Sequence, residues 1–179
     1  MTNEEKLLEL WEDKQVMRTM LNFGRALDLG DWALYRSTFT DIVNIDFTRL
    51  TTMPEVRVSA DLWTKFAEQI LSPVRRHHVY TNWDIKVDGD KAYALVYMTA
   101  RHFKAGDRGA SDNAQYGWYD VWLERSPKGW LIYRLKHDFQ WIEGNDSLLD
   151  VHQPELMKTM YEIFTEENIK AAQAALTAA

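Results

Sequence analysis

The chain predicts an α+β fold, a strongly curved antiparallel sheet with N-terminal helices covering one face and a helix as its tail. Three observations predict it. Helical periodicity comes first, then a strand and a helix, then four strand-like runs in succession and a last helix; such segregation marks α+β rather than alternating α/β architecture. Turns at Asp88-Gly89-Asp90 and Ser126-Pro127-Lys128-Gly129 fold the chain back on itself, which makes neighbouring runs antiparallel. No Gly-, Ser- or Pro-rich linker divides the 179 residues, so 1–179 is a single domain able to bury a sizeable core.

Taken in order, Thr2 followed by Glu5 fits a capping box. Leu7, Leu8, Trp11, Met17, Met20, Leu21 and Leu27 then recur at helical spacing, with a break expected near Glu12 to Lys14. Gly30 suits a left-handed helix stop, and Asp31 can cap the short segment Trp32 to Ser37. Asp28 falls in the last turn of the first helix, where a carboxylate faces the negative end of the helix dipole at a cost of a few tenths to about 1 kcal/mol. Its presence asks for a reason. Asp41 to Phe47 alternates as a strand, and a loop runs through Pro54. Ser59 can cap a helix carrying Leu62, Phe66 and Ile70 on one stripe, ended by Pro73. Strands follow at Arg75 to Asp88 and Lys91 to Phe103, then a long turn over Ala105 to Asn113, then strands at Gln115 to Arg125 and Trp130 to Trp141. From Pro154, the positions of Leu156, Met157, Met160, Tyr161 and Phe164 predict a tail helix with an Ala-rich end that frays.

Composition narrows the function. Lys and Arg total 21 against 27 Asp and Glu, a net charge of -6, and the basic residues are dispersed, which argues against nucleic acid as a partner. With no cysteine, disulfides, thiolate metal sites and thiol nucleophiles are excluded. The acidic amphipathic start is no signal peptide and no apolar run is long enough to span a bilayer, so a soluble cytoplasmic protein without membrane partners is expected. The 8 Trp, 8 Tyr and 7 Phe suit either a large core or a pocket for flat apolar ligands.

The titratable residues gather on the central strands. On a pleated strand His78 shares a face with Tyr80, Asn82 and Asp84, while His77 goes with Val79, Thr81 and Trp83. An antiparallel return brings His102 near His78, placing a titratable pair at one end of the sheet. Tyr80, Asn82, Asn44 and Asp46 are candidates for polar contacts. Arg75 and Arg76 read as solvated sheet-edge charges.

The runs RALDLGDWALYRSTFTD, RRHHVYTNWDIKVDGDKAYA and KGWLIYRLKHDFQW, in that order, resemble the SnoaL-like branch of the nuclear-transport-factor-2-like superfamily, and within it the lyases typified by scytalone dehydratase. The resemblance spans Lys14 to Trp141 and implies a cone-shaped α+β barrel with a deep pocket, assembled as a homo-oligomer, trimer or dimer. It also implies a dyad: an aspartate at the end of the early helix, matched by Asp28, orients a histidine on a central strand, matched by His78, which removes a proton. His102 matches a second pocket histidine. Two pocket tyrosines of the dehydratase fall on Leu27 and Phe47, and an inward proline falls on His137, which implies a polar group on the wall of this pocket that the dehydratase lacks. If the strand faces are those of the family, Phe47, Met98, Tyr119, Leu135, Phe139 and Trp141 form an apolar wall, the alternative for each being ordinary core.

An Asp28–His78 dyad is chemically sensible, because a carboxylate accepting one ring N–H fixes the tautomer and leaves the other nitrogen as a base. His102 is then a second acid or base, a hydrogen-bond donor to substrate, or a rim residue. A metal held by His78, His102 and Asp28 is the rival chemistry. Leu148, Leu149 and the tail helix are placed to close the mouth. The expectation is a cofactor-independent lyase, a dehydratase first, acting on an apolar, aromatic or polycyclic small molecule without metal. Formaldehyde-releasing elimination, cyclisation, isomerisation, epoxide opening and non-catalytic binding stay open.

Overall fold

A computed structural model describes residues 1–106 and 109–177. Its frame is a six-stranded sheet in the order β2-β1-β6-β5-β4-β3, with β1 at Phe39–Asp46, β2 at Val56–Ser59, β3 at Arg75–Asp88, β4 at Lys91–Gly106, β5 at Gly109–Ser126 and β6 at Gly129–Gly144. The last four strands form the expected antiparallel meander. The sheet as a whole is mixed, because β1 pairs with β6 in parallel. An even number of reversals separates β1 from β6, so the meander returns to the flank of β1 running in the same direction.

The loop expected through Pro54 holds two elements, a single-turn helix α3 (Thr48–Thr51) and the edge strand β2. Four residues are too few for β2 to stand out by alternation, and it is fixed by pairing with β1. The turn expected over Ala105 to Asn113 is mostly strand: pairing continues through Ala105↔Ala110 to Gly106↔Gly109, and only Asp107 and Arg108 of that turn lie outside the described residues. Poor strand formers such as Gly109, Ser111 and Asp112 are held there by the ladder to β4 rather than by propensity.

The first helix, α1 (Asn3–Leu29), runs unbroken through Glu12 to Lys14. No Gly or Pro interrupts it there. The charged stretch is anchored instead, since Glu12 accepts from Trp130 Nε1 at 3.0 Å and pairs with Arg125 at 3.2 Å. The capping box is present, with Glu5 N–H donating to Thr2 Oγ1 at 3.1 Å. The buried stripe is Val16, Met20, Phe23 and Leu27, while Leu7, Leu8, Trp11 and Leu21 are exposed. Gly30 takes φ 69° and Asp31 caps α2 (Trp32–Ser37), as predicted. Ser59 caps α4 (Ala60–Leu71), which packs with α1 against the concave face of the sheet to form the core.

The tail is two helices, α5 (Pro154–Ile163) and α6 (Glu166–Thr177). Thr165 Oγ1 accepts from Asn168 N–H at 3.1 Å to start the second, while Asn168 Nδ2 donates to the carbonyls of Glu162 and Ile163 at 3.1 and 2.9 Å to end the first. The Ala-rich end expected to fray is helical from Ala171 to Thr177, as alanine's high helix propensity favours, and only Ala178 and Ala179 of it lie outside the described residues.

Candidate active site

The concave face, α1, α4 and α5 enclose a cavity of about 500 Å³. Its depth is set by aromatic residues of α1, α2 and α4, where Trp63 donates to the Tyr35 hydroxyl at 3.0 Å. Leu149, Val151, Met160 and Phe164 line the cavity as well, so the segment after β6 and α5 form part of its wall. Leu148, expected to help close the mouth, is buried and off the wall.

Asp28 has its reason. The backbone N–H of His78 lies 3.0 and 3.2 Å from its two carboxyl oxygens, and His78 Nδ1 is 2.7 Å from Oδ1. β3 is an edge strand, so this N–H would otherwise have no ladder partner. A carboxylate can only accept, which puts the ring proton on Nδ1 and leaves the Nε2 lone pair for the cavity. The His78 side chain is 4% exposed and lines that cavity. Arg76, expected in solvent, instead donates to the carbonyls of Leu27 (2.6 Å), Leu71 and Val74 (3.0 Å), so it closes the C-terminal ends of α1 and α4 and offsets the dipole Asp28 faces.

His102 stands beside His78, ring centroids 6.1 Å apart at 84°. Its Nδ1 is 2.9 Å from Asn113 Oδ1, and Asn113 Nδ2 donates to the Asn145 carbonyl at 2.9 Å. That second bond orients the amide, so Oδ1 must accept and His102 also presents an Nε2 lone pair. Burial lowers its pKa to about 4, outweighing the bond to Asn113, so the ring is neutral. In this state His102 accepts hydrogen bonds and does not donate from Nε2. Asn113 escaped the sequence reading because its segment reads as a turn; extending the strand puts it directly opposite His102.

Of the expected wall, Phe47, Met98, Tyr119 and His137 line the cavity, and Gln115, Ala100 and Ile142 join them. Burial raises the Tyr119 pKa, so its phenol stays protonated. Four expected positions lie elsewhere. Tyr80 is wedged against α1 at Gly24, where the missing Cβ makes room for its ring. Leu135 is fully buried in the core, paired with Val121 and Ile45 toward the packed end of the sheet. Phe139 is half-buried 6.2 Å from the His137 ring, off the wall and next to a bulge. That bulge is Gln140, the extra residue between the pairs Gly117↔Phe139 and Tyr116↔Trp141. It reverses the strand's alternation, turning Trp141 outward to stack on Tyr116 at 4.9 Å and Ile142 inward. A second bulge, at Asn82 with φ 51°, separates Asn82 and Asp84 from the face of His78 and turns Trp83 and Ile85 to the core.

Asn44 is taken by Glu55 and Arg57, at 3.1 and 2.7 Å, and Asp46 caps α3 by accepting from Thr48 N–H at 3.0 Å, so neither reaches the cavity. Among the described residues no three histidines or carboxylates are grouped as a metal site needs. No described helix is long and apolar enough to cross a membrane.

A model of the SnoaL-like domain matches residues 8–136. The chain belongs to the SnoaL-like family. Solved structures agree on the cone-shaped fold of the nuclear-transport-factor-2-like superfamily. This SnoaL-like domain is similar to the Kfla4162 protein of Kribbella flavida, with 23% identity and TM-score 0.71 over 75% of this chain and 95% of that one. It is similar to a candidate scytalone dehydratase of Novosphingobium aromaticivorans, with 18% identity and TM-score 0.66 over 83% and 95%. It is also similar to a type 2 hexachlorocyclohexane dehydrochlorinase, with 14% identity and TM-score 0.65 over 83% and 98%. No curated protein matches the chain.

Proposed function

We propose that this SnoaL-like protein is a cofactor-independent lyase, a dehydratase in the first instance, acting on an apolar aromatic or polycyclic small molecule. The observation that carries the reading is the Asp28–His78 pair at 2.7 Å, with the free ring edge on the wall of an apolar cavity. His78 Nε2 takes a proton from carbon, and Asp28 stabilises the imidazolium. The neighbouring C–O bond breaks, a C=C bond forms, and the hydroxyl leaves as water with the proton His78 held. Tyr119 donates a hydrogen bond to the departing oxygen, and His102 accepts one from a substrate hydroxyl. The names of the dehydratase and dehydrochlorinase neighbours fit an elimination, and the largely apolar lining suits a proton abstraction away from bulk water. The non-catalytic alternative calls for a plugged cavity; here Phe47 lines open space and Trp118 and Trp141 lie outside it.

A panel of aryl and polycyclic β-hydroxy compounds, followed for loss of water, tests the proposal. Turnover should survive chelator and vanish in His78→Ala with the melting temperature nearly unchanged. Activity lost to chelator, or retained without His78, would sink it. Self-association as a trimer or dimer belongs to the same reading. It is supported by exposed Leu7, Leu8, Leu10 and Trp11 on α1 and by the Tyr97–Trp118 and Tyr116–Trp141 pairs on the outer face of the sheet. Light scattering at micromolar concentration should give a multiple of 21.0 kDa; the monomer mass would refute it.

A further inference from the structure

His137 is the one cavity histidine that the proposed elimination leaves unused, and its surroundings differ in kind from those of the other two. It is 2% exposed, and among the described residues neither ring nitrogen has a hydrogen-bond partner. Its neighbours are rings: Phe47 at 5.0 Å, Tyr119 at 5.1 Å and Phe139 at 6.2 Å. The adjacent carboxylate, Asp138, is committed to Arg49 at 2.8 Å, Lys136 at 3.1 Å and Gln140 at 2.8 Å. Burial lowers the His137 pKa to about 4 against the pull of Asp138, so the ring is neutral and carries one N–H and one lone pair.

Leaving a buried polar group unpaired costs about 1–3 kcal/mol, and an aliphatic side chain such as that of Leu135, two residues away on the same strand, would avoid it. The ring nevertheless lines the cavity, with both nitrogens covered by its neighbours. We propose that His137 is the recognition point for an oxygen substituent of the bound molecule, a hydroxyl or a carbonyl, its imidazole turning a covered nitrogen into the cavity as the molecule binds. A hydroxyl can pair with either nitrogen, accepting from the N–H or donating to the lone pair, and a carbonyl only with the N–H. The ligand class is thereby narrowed from flat apolar molecules to aryl or polycyclic alcohols and ketones, bound with one oxygen at His137 and the carbon skeleton reaching toward His78. The inference rests on the cavity being a small-molecule site and is independent of proton abstraction at His78.

Binding is read by tryptophan fluorescence with size-matched probes: 2-methylnaphthalene, 2-naphthol and 2-acetylnaphthalene. The wild type should prefer 2-naphthol to 2-methylnaphthalene by about tenfold or more, the worth of one buried hydrogen bond. In His137→Leu that ratio should fall to within about threefold, with 2-methylnaphthalene affinity held or improved. His137→Gln should restore part of it. A carbonyl preference appears as the same pattern with 2-acetylnaphthalene in place of 2-naphthol. No oxygen preference in the wild type, or one that persists in His137→Leu, overturns the proposal. A second measurement needs no variant: the ring ¹⁵N resonances of His137 should move on saturation with the preferred probe, and unmoved resonances would equally refute it. If no aryl alcohol is ever turned over while the ratio collapses as expected, the lyase reading fails and this one stands.

Discussion

The two sides of the cavity use the same side chain in opposite ways. At the edge-strand side, His78 and His102 each have Nδ1 tied to an acceptor, Asp28 and Asn113, and those acceptors are themselves held by backbone groups. On the β6 side, His137 sits among rings with neither nitrogen hydrogen-bonded among the described residues. An imidazole has no fixed role of its own; the partner of one nitrogen decides what the other can do. Tied rings are oriented acceptors suited to taking a proton from a defined direction, whereas the untied ring can serve as donor or acceptor to whatever binds.

Breaking the tie on the first side should have the largest effect. Asp28→Asn keeps an oxygen for the backbone N–H of His78 but can turn an amide N–H toward Nδ1, forcing the ring proton to Nε2 and removing the base. Turnover should drop by about 10²- to 10⁴-fold while the fold persists. Asn113→Leu frees His102, for which a substrate-orienting role is proposed, and should cost only about tenfold. Equal losses in both variants would mean that the two histidines act as one unit.

The next effect, on stability, joins the two sides. His102 and His137 both have pKa values lowered from 6.5 to about 4 by burial. The unfolded chain therefore takes up protons that the folded chain refuses as pH falls through that window. The stability from keeping these rings neutral is complete above about pH 6.5 and lost progressively down to about pH 4, by up to about 3 kcal/mol for each ring. Urea titrations across this range should show the fall. His137→Leu should flatten it by about half, and an unchanged slope in that variant would assign the acid sensitivity elsewhere.

How much of this was legible in the sequence depended on whether a position's role is local. The capping residues Thr2, Asp31 and Ser59 and the left-handed Gly30 act within one turn of chain and were readable directly. The facing of strand residues was readable only up to the first bulge. Trp141 and Ile142 exchange faces because of Gln140, and Trp83 and Asp84 because of Asn82, and neither bulge residue announces itself in an alternating run. Partnerships across the fold were the least legible: Asn113 needs a register, and Arg76 bridging two helix ends needs a tertiary structure. Asp28 was the exception, because a carboxylate at a helix C-terminus is unfavourable without a compensating contact.

The smallest expected effect probes what holds the two sides apart. Gly24 lies one helical turn before Asp28, and a Cβ built there would come within 2.5 Å of the Tyr80 ring. Replacing Gly by Ala inside a helix ordinarily gains about 1 kcal/mol from backbone entropy. Here the aromatic ring is rigid, and overpacking a tight contact costs about 1–3 kcal/mol, so Gly24→Ala should be net destabilising by about 1 kcal/mol. The strain falls between α1 and β3, the two elements that carry Asp28 and His78. Turnover should therefore weaken further than stability alone explains, as the 2.7 Å contact is pushed off its optimum. His137 is carried by β6 and meets that wedge only through the Tyr119 ring, so the probe preference of the wild type should change far less than turnover. A variant that lost oxygen preference and turnover together would show that both sides answer to one frame, and the division drawn between tied and untied histidines would then describe hydrogen bonding without describing function.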